Sequence, residues 1–217
     1  EDGETFQANA LIKARAVFNV LNDPNAIVIA DDSGISIDVL NGAPGIYSAR
    51  YAGEKATDKD NLEKVIQEVI KQGYKESRAF YTAAIAIVSQ EGEKTVHGWM
   101  HGKVIIERHG DNGFGYDPIF KPKGSDLSFA EMSKIEKNKI SHRALAVNEL
   151  VRLMQGDVGR AENFLYFGPV KFAERDAKGN RIYVARGLKQ IIDDAVRAAE
   201  AGARPDDQCV LEIRPVH

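Results

Sequence analysis

The chain has 217 residues, 43% of them hydrophobic, and carries a net charge of −3. That length suits one domain with or without a small appendage, and the near-neutral charge excludes the broad basic field of a nucleic-acid or membrane-surface protein. A single cysteine, Cys209, excludes an internal disulfide framework and is typical of a reducing cytoplasm. No run is apolar enough to span a membrane, and no signal peptide is recognisable.

The first part of the chain predicts a helix followed by two short strands. Residues 5–21 place apolar side chains at helical spacing, with Thr5 as a candidate N-cap. Residues 27–30 and 35–39 are predicted strands, because the first is β-branched and the second alternates in polarity. The segment between them, Asp31-Asp32-Ser33-Gly34, is predicted as a turn.

The rest of the chain predicts further helices and strands. In chain order these are a helix from the capping box at residues 57–60 to Lys71, a hairpin of residues 80–89 and 94–99, a short strand at 104–107 and a Gly-rich loop at 109–118. A second capping box at 133–136 follows, and a helical pattern then runs through His142 to about Met154. Residues 156–217 predict a ββαβ arrangement, either a separate small module or an extension that packs on the main body.

The adjacent carboxylates of Asp31 and Asp32 follow a buried-looking run, where they repel each other unless a cation compensates them. One interpretation is a solvent-exposed turn, in which an Asp side chain forms hydrogen bonds with the turn backbone and Gly34 adopts a left-handed conformation. The other is a site for a hard cation such as Mg²⁺, which needs only one or two carboxylates beside phosphate oxygens and water. The residues alone favour the turn, because Asp and Gly are ordinary turn residues.

Two further segments are candidate sites, the loop at residues 112–118 and the charged segment at 136–143. Aromatic rings displayed on a loop can stack on a planar base, and a carboxylate can accept hydrogen bonds from the edge of that base. The alternative is a hairpin loop with buried aromatic rings. The charged segment offers donors suited to phosphate or to a carbonyl-bearing base, although a solvated helix face has the same composition.

Four segments occur in the order ETFQANALIKA, ADDSGISIDVLNGAPGIYSARYAG, FGYDPIF and EKNKISHRALA. In wording and order they resemble the non-standard purine nucleoside triphosphate pyrophosphatases, the inosine triphosphatase family, over about residues 1–154. The resemblance implies a two-lobed α/β fold with a long mixed sheet and a central cleft, and a cytoplasmic homodimer. It also implies a Mg²⁺-dependent hydrolase of acid anhydrides that converts ITP, dITP and XTP into monophosphate and pyrophosphate and so cleanses the nucleotide pool.

The resemblance assigns roles to individual residues. It implies that Asp32 is the metal-linked general base, and that Asp31 and Glu1 help to hold Mg²⁺. It places Lys13 near the phosphates and Ser33 in contact with the substrate. The residues that would recognise the 6-keto purine are Phe114, Gly115, Tyr116, Asp117, Lys137, His142 and Arg143.

Three features depart from the family pattern. The family begins with a strand that carries a Thr-Asn-x-x-Lys-type segment that binds the phosphates of the substrate, here called the phosphate grip. We expect this chain to lack the grip, because the chain starts at Glu1. Ala8 stands where the family usually has glutamate, which removes half of a capping box. Residues 156–217 are expected to be an unrelated extension, so the predicted domains are a pyrophosphatase domain at 1–155 and the extension. RIYVARGLKQII could replace the missing opening unit, but it lacks the Asn or Thr of the grip.

Two other functions stay open. A catalytically weak or inactive nucleotide-binding module would follow from the missing grip. A septum-formation-type nucleotide pyrophosphatase, which acts on modified pyrimidines or other nucleotides, is the second, although FGYDP and SHR argue against it. Mg²⁺-dependent release of pyrophosphate from a panel of nucleotides separates these alternatives.

Overall fold

The structure, a computed structural model, describes residues 2–157 and 181–184. Its helices are α1 (Phe6–Leu21), α2 (Asp58–Lys71), α3 (Lys134–Ile140) and α4 (His142–Asp157), and its strands are β1 (Ala26–Ile37), β2 (Glu76–Ser89), β3 (Gly92–Ile105), β4 (Phe120–Pro122) and β5 (Arg181–Val184). Within the described part of the chain, no helix is both long and apolar enough to cross a bilayer.

The five strands form one mixed sheet in the order β4-β3-β2-β1-β5. Strands β1 to β4 pair antiparallel with their neighbours, whereas β5 runs parallel to β1. The predicted α/β class with a mixed sheet is therefore confirmed. Helix α1 packs on one face of the sheet and α4 on the other, so residues at the two faces of β1 meet different helices.

Strand β1 is continuous, and the predicted turn at residues 31–34 is wrong. Asp31, Asp32 and Ser33 pair in register with Ile85, Ala84 and Ala83 of β2. Gly34 is required in this strand for space, because a Cβ there would lie 2.5 Å from the Gly45 carbonyl oxygen and 2.9 Å from the Phe6 ring. The strand ends at Ile37 and continues into a short 3-10 helix, not the predicted second strand to residue 39.

The β2–β3 hairpin is longer than the sequence predicts. The predicted strands at 80–89 and 94–99 lie inside β2 and β3, and residues 104 and 105 belong to β3 instead of starting a separate strand. The two predicted capping boxes are confirmed: the Thr57 hydroxyl accepts from the Asp60 N–H at 3.2 Å, and that of Ser133 accepts from the Glu136 N–H at 3.2 Å. The second box begins α3, but the prediction of one helical pattern through His142 is wrong, because Ser141 has an extended backbone and separates α3 from α4.

Each face of the sheet has its own apolar core. On the α1 face the core consists of small residues, including Ala10, Ala14, Ala84 and Ala86, which allow a close helix–sheet approach. On the α4 face it is larger and contains Tyr81, Phe120 and Phe129. The aromatic core therefore lies on the same face as the N-terminus of α4.

Of the predicted C-terminal extension, the structure describes only β5. Its pairing with Ala26–Ile29 places these four residues in the main sheet. The other elements predicted for residues 158–180 and 185–217 lie outside the described residues.

Candidate active site

Asp31 and Asp32 lie on opposite faces of β1, and each meets a cation from a different helix. The Lys13 ammonium in α1 donates to Asp32 Oδ1 at 2.7 Å, and the Arg143 guanidinium in α4 donates through Nε to Asp31 Oδ2 at 3.0 Å. The two carboxylate side chains are only 11% and 10% exposed, respectively. The paired acids are compatible with a strand because successive side chains alternate in direction and each charge has its own cation.

Further hydrogen bonds fix both cations. Lys13 Nζ also donates to the Asp31 carbonyl oxygen at 3.2 Å, and Arg143 Nη2 donates to Ser33 Oγ at 3.2 Å. Arg143 lies in the first turn of α4, where the positive end of the helix dipole does not favour a cation. The ion pair with Asp31 offsets that unfavourable position. We call Lys13, Asp31, Asp32 and Ser33 the acidic end of the site.

The loop before β4 is organised around the buried carboxylate of Asp117. This residue is 2% exposed, accepts from the Phe114 N–H at 2.8 Å and forms an ion pair with Lys137 of α3. Gly113 has φ +83°, and a Cβ at that position would collide with the same carboxylate. The Gly115 N–H donates to Asp58 Oδ2 at 3.0 Å, which ties the loop to the start of α2.

The two loop aromatics point in different directions. Phe114 is 55% exposed, and its ring centroid lies 4.6 Å from Lys137 Nζ and 5.3 Å from Arg143 Cζ. Tyr116 is 5% exposed, and its hydroxyl donates to the Ser48 carbonyl oxygen at 2.7 Å. The sequence left open whether the aromatic rings of this loop are displayed or buried. The structure displays Phe114 and buries Tyr116. Phe114 is therefore the ring that can stack on a planar ligand.

His142, the first residue of α4, is buried beside this loop. Its ring stacks on Tyr81 with centroids 4.6 Å apart and an interplanar angle of 7°. Burial lowers the pKa of His142 well below its usual value, and the nearby charges of Arg143 and Lys137 lower this pKa further. The imidazole is therefore neutral near pH 7, and its Nδ1 atom has no hydrogen-bond partner among the described residues.

Arg143 connects the acidic end to the aromatic side of the site. It contacts Asp31 and Ser33 with its nitrogens while its Cζ lies over the Phe114 ring. We call the second group the aromatic end: Phe114, Asp117, Lys137, His142 and Arg143. Gly115 and Tyr116 shape its loop through the contacts described above, and Glu1 lies outside the described residues.

Three residues that sequence analysis did not select support this arrangement. Tyr81 contacts His142, Asp58 holds the Gly115 N–H, and Ser48 accepts from Tyr116 and supports β1 through its hydroxyl, which accepts from the Ile35 N–H at 2.9 Å. Tyr81 lies in an apolar strand pattern and Asp58 in a capping box, so each has an ordinary structural explanation in the sequence. Only contacts made by the folded chain distinguish them.

Comparison with known proteins agrees with this geometry. The model of the Ham1 family matches residues 1–153. The dITP/XTP pyrophosphatase of Sulfurimonas denitrificans is 59% identical over 152 residues, which cover 68% of this chain and 76% of that protein. The dITP/XTP pyrophosphatase of Campylobacter jejuni serotype O:2 is 55% identical over 157 residues, covering 71% and 78%, respectively.

Solved structures give the same result. The Staphylococcus aureus Ham1 protein has 40% sequence identity and a TM-score of 0.66, with 72% of this chain and 80% of that chain covered. A HAM1 protein from Coxiella burnetii has 37% identity and a TM-score of 0.65, with 72% and 79% covered. The family match spans the whole of the acidic and aromatic ends, and on this evidence the chain belongs to the Ham1 family.

Proposed function

We propose that this chain hydrolyses non-standard purine nucleoside triphosphates, namely ITP, dITP and XTP, to monophosphate and pyrophosphate, and thereby cleanses the nucleotide pool. The observation that carries the proposal is the position of Arg143, which joins the carboxylate of Asp31, the neighbour of Asp32, to an exposed aromatic ring. A nucleotide has the same order of parts, with phosphates at one end and a planar base at the other. The names of the relatives, dITP/XTP pyrophosphatases at 59% and 55% identity, support it.

The aromatic end suits a 6-keto purine. The Phe114 ring offers a stacking surface, and Lys137 and Arg143 beside it are donors only. A carbonyl at position 6 accepts from such donors, whereas the amino group of adenine leaves them unmatched. Unmatched buried donors give strong discrimination, because the desolvation cost of each donor is not recovered.

The acidic end suits a magnesium ion bound together with the triphosphate. Its carboxylates, Asp32 and Asp31, are hard oxygen donors, and Mg²⁺ in nucleotide sites uses one or two carboxylates and fills its remaining positions with phosphate oxygens and water. Residues 2–157 contain no cluster of three acidic, histidine or cysteine ligands, which fits that sparse protein contribution. When bound, Mg²⁺ neutralises charge on the triphosphate and on the departing pyrophosphate.

Asp32 is the proposed catalytic base. Its carboxylate takes a proton from the water that attacks the α-phosphorus. Lys13, at 2.7 Å, orients this carboxylate and lies where the phosphates of a bound nucleotide are expected. Asp31 is held by Arg143 on the other face of β1, so its role as a second metal ligand stays a prediction.

The domain and assembly predictions belong to the same proposal. We place the pyrophosphatase domain at residues 1–155 and the extension at 156–217. We further propose a cytoplasmic homodimer, with no nucleic-acid or membrane partner. The single cysteine supports the cytoplasmic assignment, and light scattering on the purified chain measures the assembly.

The test is release of pyrophosphate by the 217-residue chain from dITP, ITP, XTP, modified UTP, dGTP and dATP, with and without Mg²⁺. We expect turnover of the first three nucleotides only, and only with Mg²⁺. Asp32→Asn should keep the fold and nucleotide binding but lower kcat by about 100-fold or more, which is the usual contribution of a general base. The control is Asp38→Asn, the same change at an exposed aspartate just beyond β1, and it should retain wild-type turnover.

The other outcomes are equally specific. Binding of ITP with no release of pyrophosphate would identify a nucleotide-binding module. Preference for modified UTP would identify a septum-formation-type enzyme. A near-normal rate for Asp32→Asn at saturating Mg²⁺ would show that another group is the base.

A further inference from the structure

Tyr81 occupies a central position behind the aromatic end. It lies in β2 on the face that packs against α4 and is 6% exposed. Its ring stacks on His142, makes an edge contact with Phe120 at a centroid distance of 4.7 Å and lies 6.0 Å from Phe129. A ring held from three sides cannot change rotamer without displacing its neighbours, so its plane is fixed.

Tyr81 shares a buried core with the substrate loop. Tyr81 and Tyr116 both belong to the apolar core on the α4 face, and burial raises the pKa of Tyr81 well above its usual value, so the phenol stays neutral. Tyr116 lies between Gly115 and Asp117 in the loop that presents Phe114. Tyr81 therefore stacks on the first residue of α4 and belongs to the core that supports this loop.

We propose that Tyr81 is a positioning residue that sets the selectivity of the site for keto over amino purines. It does so by fixing the plane of the His142 ring and by packing in the core that supports the 114–117 loop. This inference rests on the proposed function, in which His142 takes part in reading the base. Tyr81 itself lies behind these groups and does not touch the substrate.

The physical reason is that the nitrogens of an imidazole form their hydrogen bonds in the plane of the ring. A tilt of the ring therefore moves the donor or acceptor out of line with the base. Among the described residues His142 Nδ1 has no partner that would hold the ring plane. The stack on Tyr81, nearly parallel at 7°, provides this restraint instead. A preorganised ring also lowers the conformational cost of binding.

Two substitutions separate the contribution of the Tyr81 hydroxyl from that of its ring. Tyr81→Phe keeps the ring and its stack and removes only the hydroxyl, so we expect both the KM for dITP and kcat to stay within about two-fold of wild type. Tyr81→Leu removes the stack as well. For this variant we expect the KM for dITP to rise about ten-fold and the ratio of kcat/KM for dITP over dATP to fall about ten-fold.

The neighbouring residue provides a matched control. Phe80 lies on the opposite face of the same strand and contacts another histidine, His101, with centroids 5.5 Å apart. Phe80→Leu therefore removes an aromatic–histidine contact of similar kind outside the site. We expect it to lower the Tm without changing the KM or the dITP-to-dATP ratio when the assay is run below the unfolding transition.

The result that would overturn the proposal is a folded Tyr81→Leu protein with wild-type KM and selectivity, or a Phe80→Leu protein with the same kinetic changes. Calorimetric binding of IMP to all four proteins reads the same effect without turnover. If the wild type binds IMP but does not hydrolyse dITP, the proposed function fails while the Tyr81 test is still decided by the IMP affinities. A wild type that neither binds IMP nor hydrolyses dITP contradicts both.

Discussion

At the scale of single residues, the site is built from charges that the fold compensates and from one histidine that it keeps neutral. His142 is 4% exposed and lies beside two cations, Arg143 and Lys137, which disfavour its protonation. A neutral ring can present either a donor or an acceptor, whereas a charged ring presents donors only. The same burial links this residue to the stability of the protein.

We predict that the free energy of unfolding falls as the pH is lowered through the usual pKa of histidine. The pKa of His142 is lowered in the folded state, so below about pH 6.5 the unfolded chain binds a proton that the folded chain does not. Each pH unit below that value should therefore cost about 1.4 kcal/mol, until the folded pKa is reached. Urea unfolding at about pH 7.5 and about pH 5.5 measures this difference.

His142→Gln should remove most of that pH dependence. The comparison is His97→Gln, because burial also lowers the pKa of His97, although the shift is smaller. It should remove a lesser part of the same slope. An unchanged slope in His142→Gln would mean that the pKa of His142 is not lowered in the folded protein.

At the scale of secondary-structure elements, helix starts are well defined by local signals. Thr5, Thr57 and Ser133 each accept from the N–H three residues ahead, and the last two have the reciprocal acidic partner. These contacts lie within one turn, so sequence alone predicted them. Helix α1 is the exception, since it has no acidic residue in its first turn and Ala8 cannot return the bond.

We predict that Ala8→Glu stabilises the chain by about 0.5–1 kcal/mol. The new carboxylate can accept from the Thr5 N–H and also interacts favourably with the positive end of the helix dipole. Urea unfolding measures the change. Ala8→Gln is the control, because it restores the hydrogen bond without the charge and should show part of the gain. No gain in either variant would mean that the Thr5 N–H is already satisfied.

The continuity of β1 shows where sequence reasoning fails at this scale. A local pattern containing Asp31, Asp32 and Gly34 favours a turn. The groups that stabilise a strand there are Lys13, 19 residues from Asp32, and Arg143, 112 residues from Asp31. Because the second partner is so distant in the chain, no local pattern reveals that the carboxylates will be compensated.

At the scale of the whole molecule, the four motifs that identified the family also contain most residues of the site, so the proximity of these residues could be expected from the resemblance. The residues that hold them in place could not be predicted in the same way. Tyr81 and Ser48 are an ordinary core aromatic and a turn serine in the sequence, and only the packing of β2 against α4 and the loop gives them their contacts. The sequence likewise does not show that Tyr116 is buried and Phe114 exposed, because the packing of the core around the loop decides which ring is buried.

The partner of β1 at the sheet edge was also beyond sequence reasoning. Residues 181–184 predict a strand, but their pattern does not specify which edge they pair with or in which direction. The structure pairs Ala26 with Arg181 and Ile29 with Val184 in a parallel register. This pairing satisfies backbone groups along the first part of β1, the strand whose second part carries Asp31 and Asp32.

We predict that proline in β5 weakens this edge in a position-dependent way. In a parallel ladder, successive N–H groups of a strand point alternately toward and away from the neighbour, and proline removes the N–H. Of Ile182→Pro and Tyr183→Pro, one should therefore lower the free energy of unfolding by about 1–3 kcal/mol and the other by much less. Each variant is the control for the other, because both introduce the same ring into the same strand. Amide exchange should accelerate in the affected variant at alternate residues of 26–29, those whose N–H groups face β5, while the amides that face β2 stay protected. If both variants keep wild-type stability and exchange, residues 181–184 do not contribute to the sheet in solution.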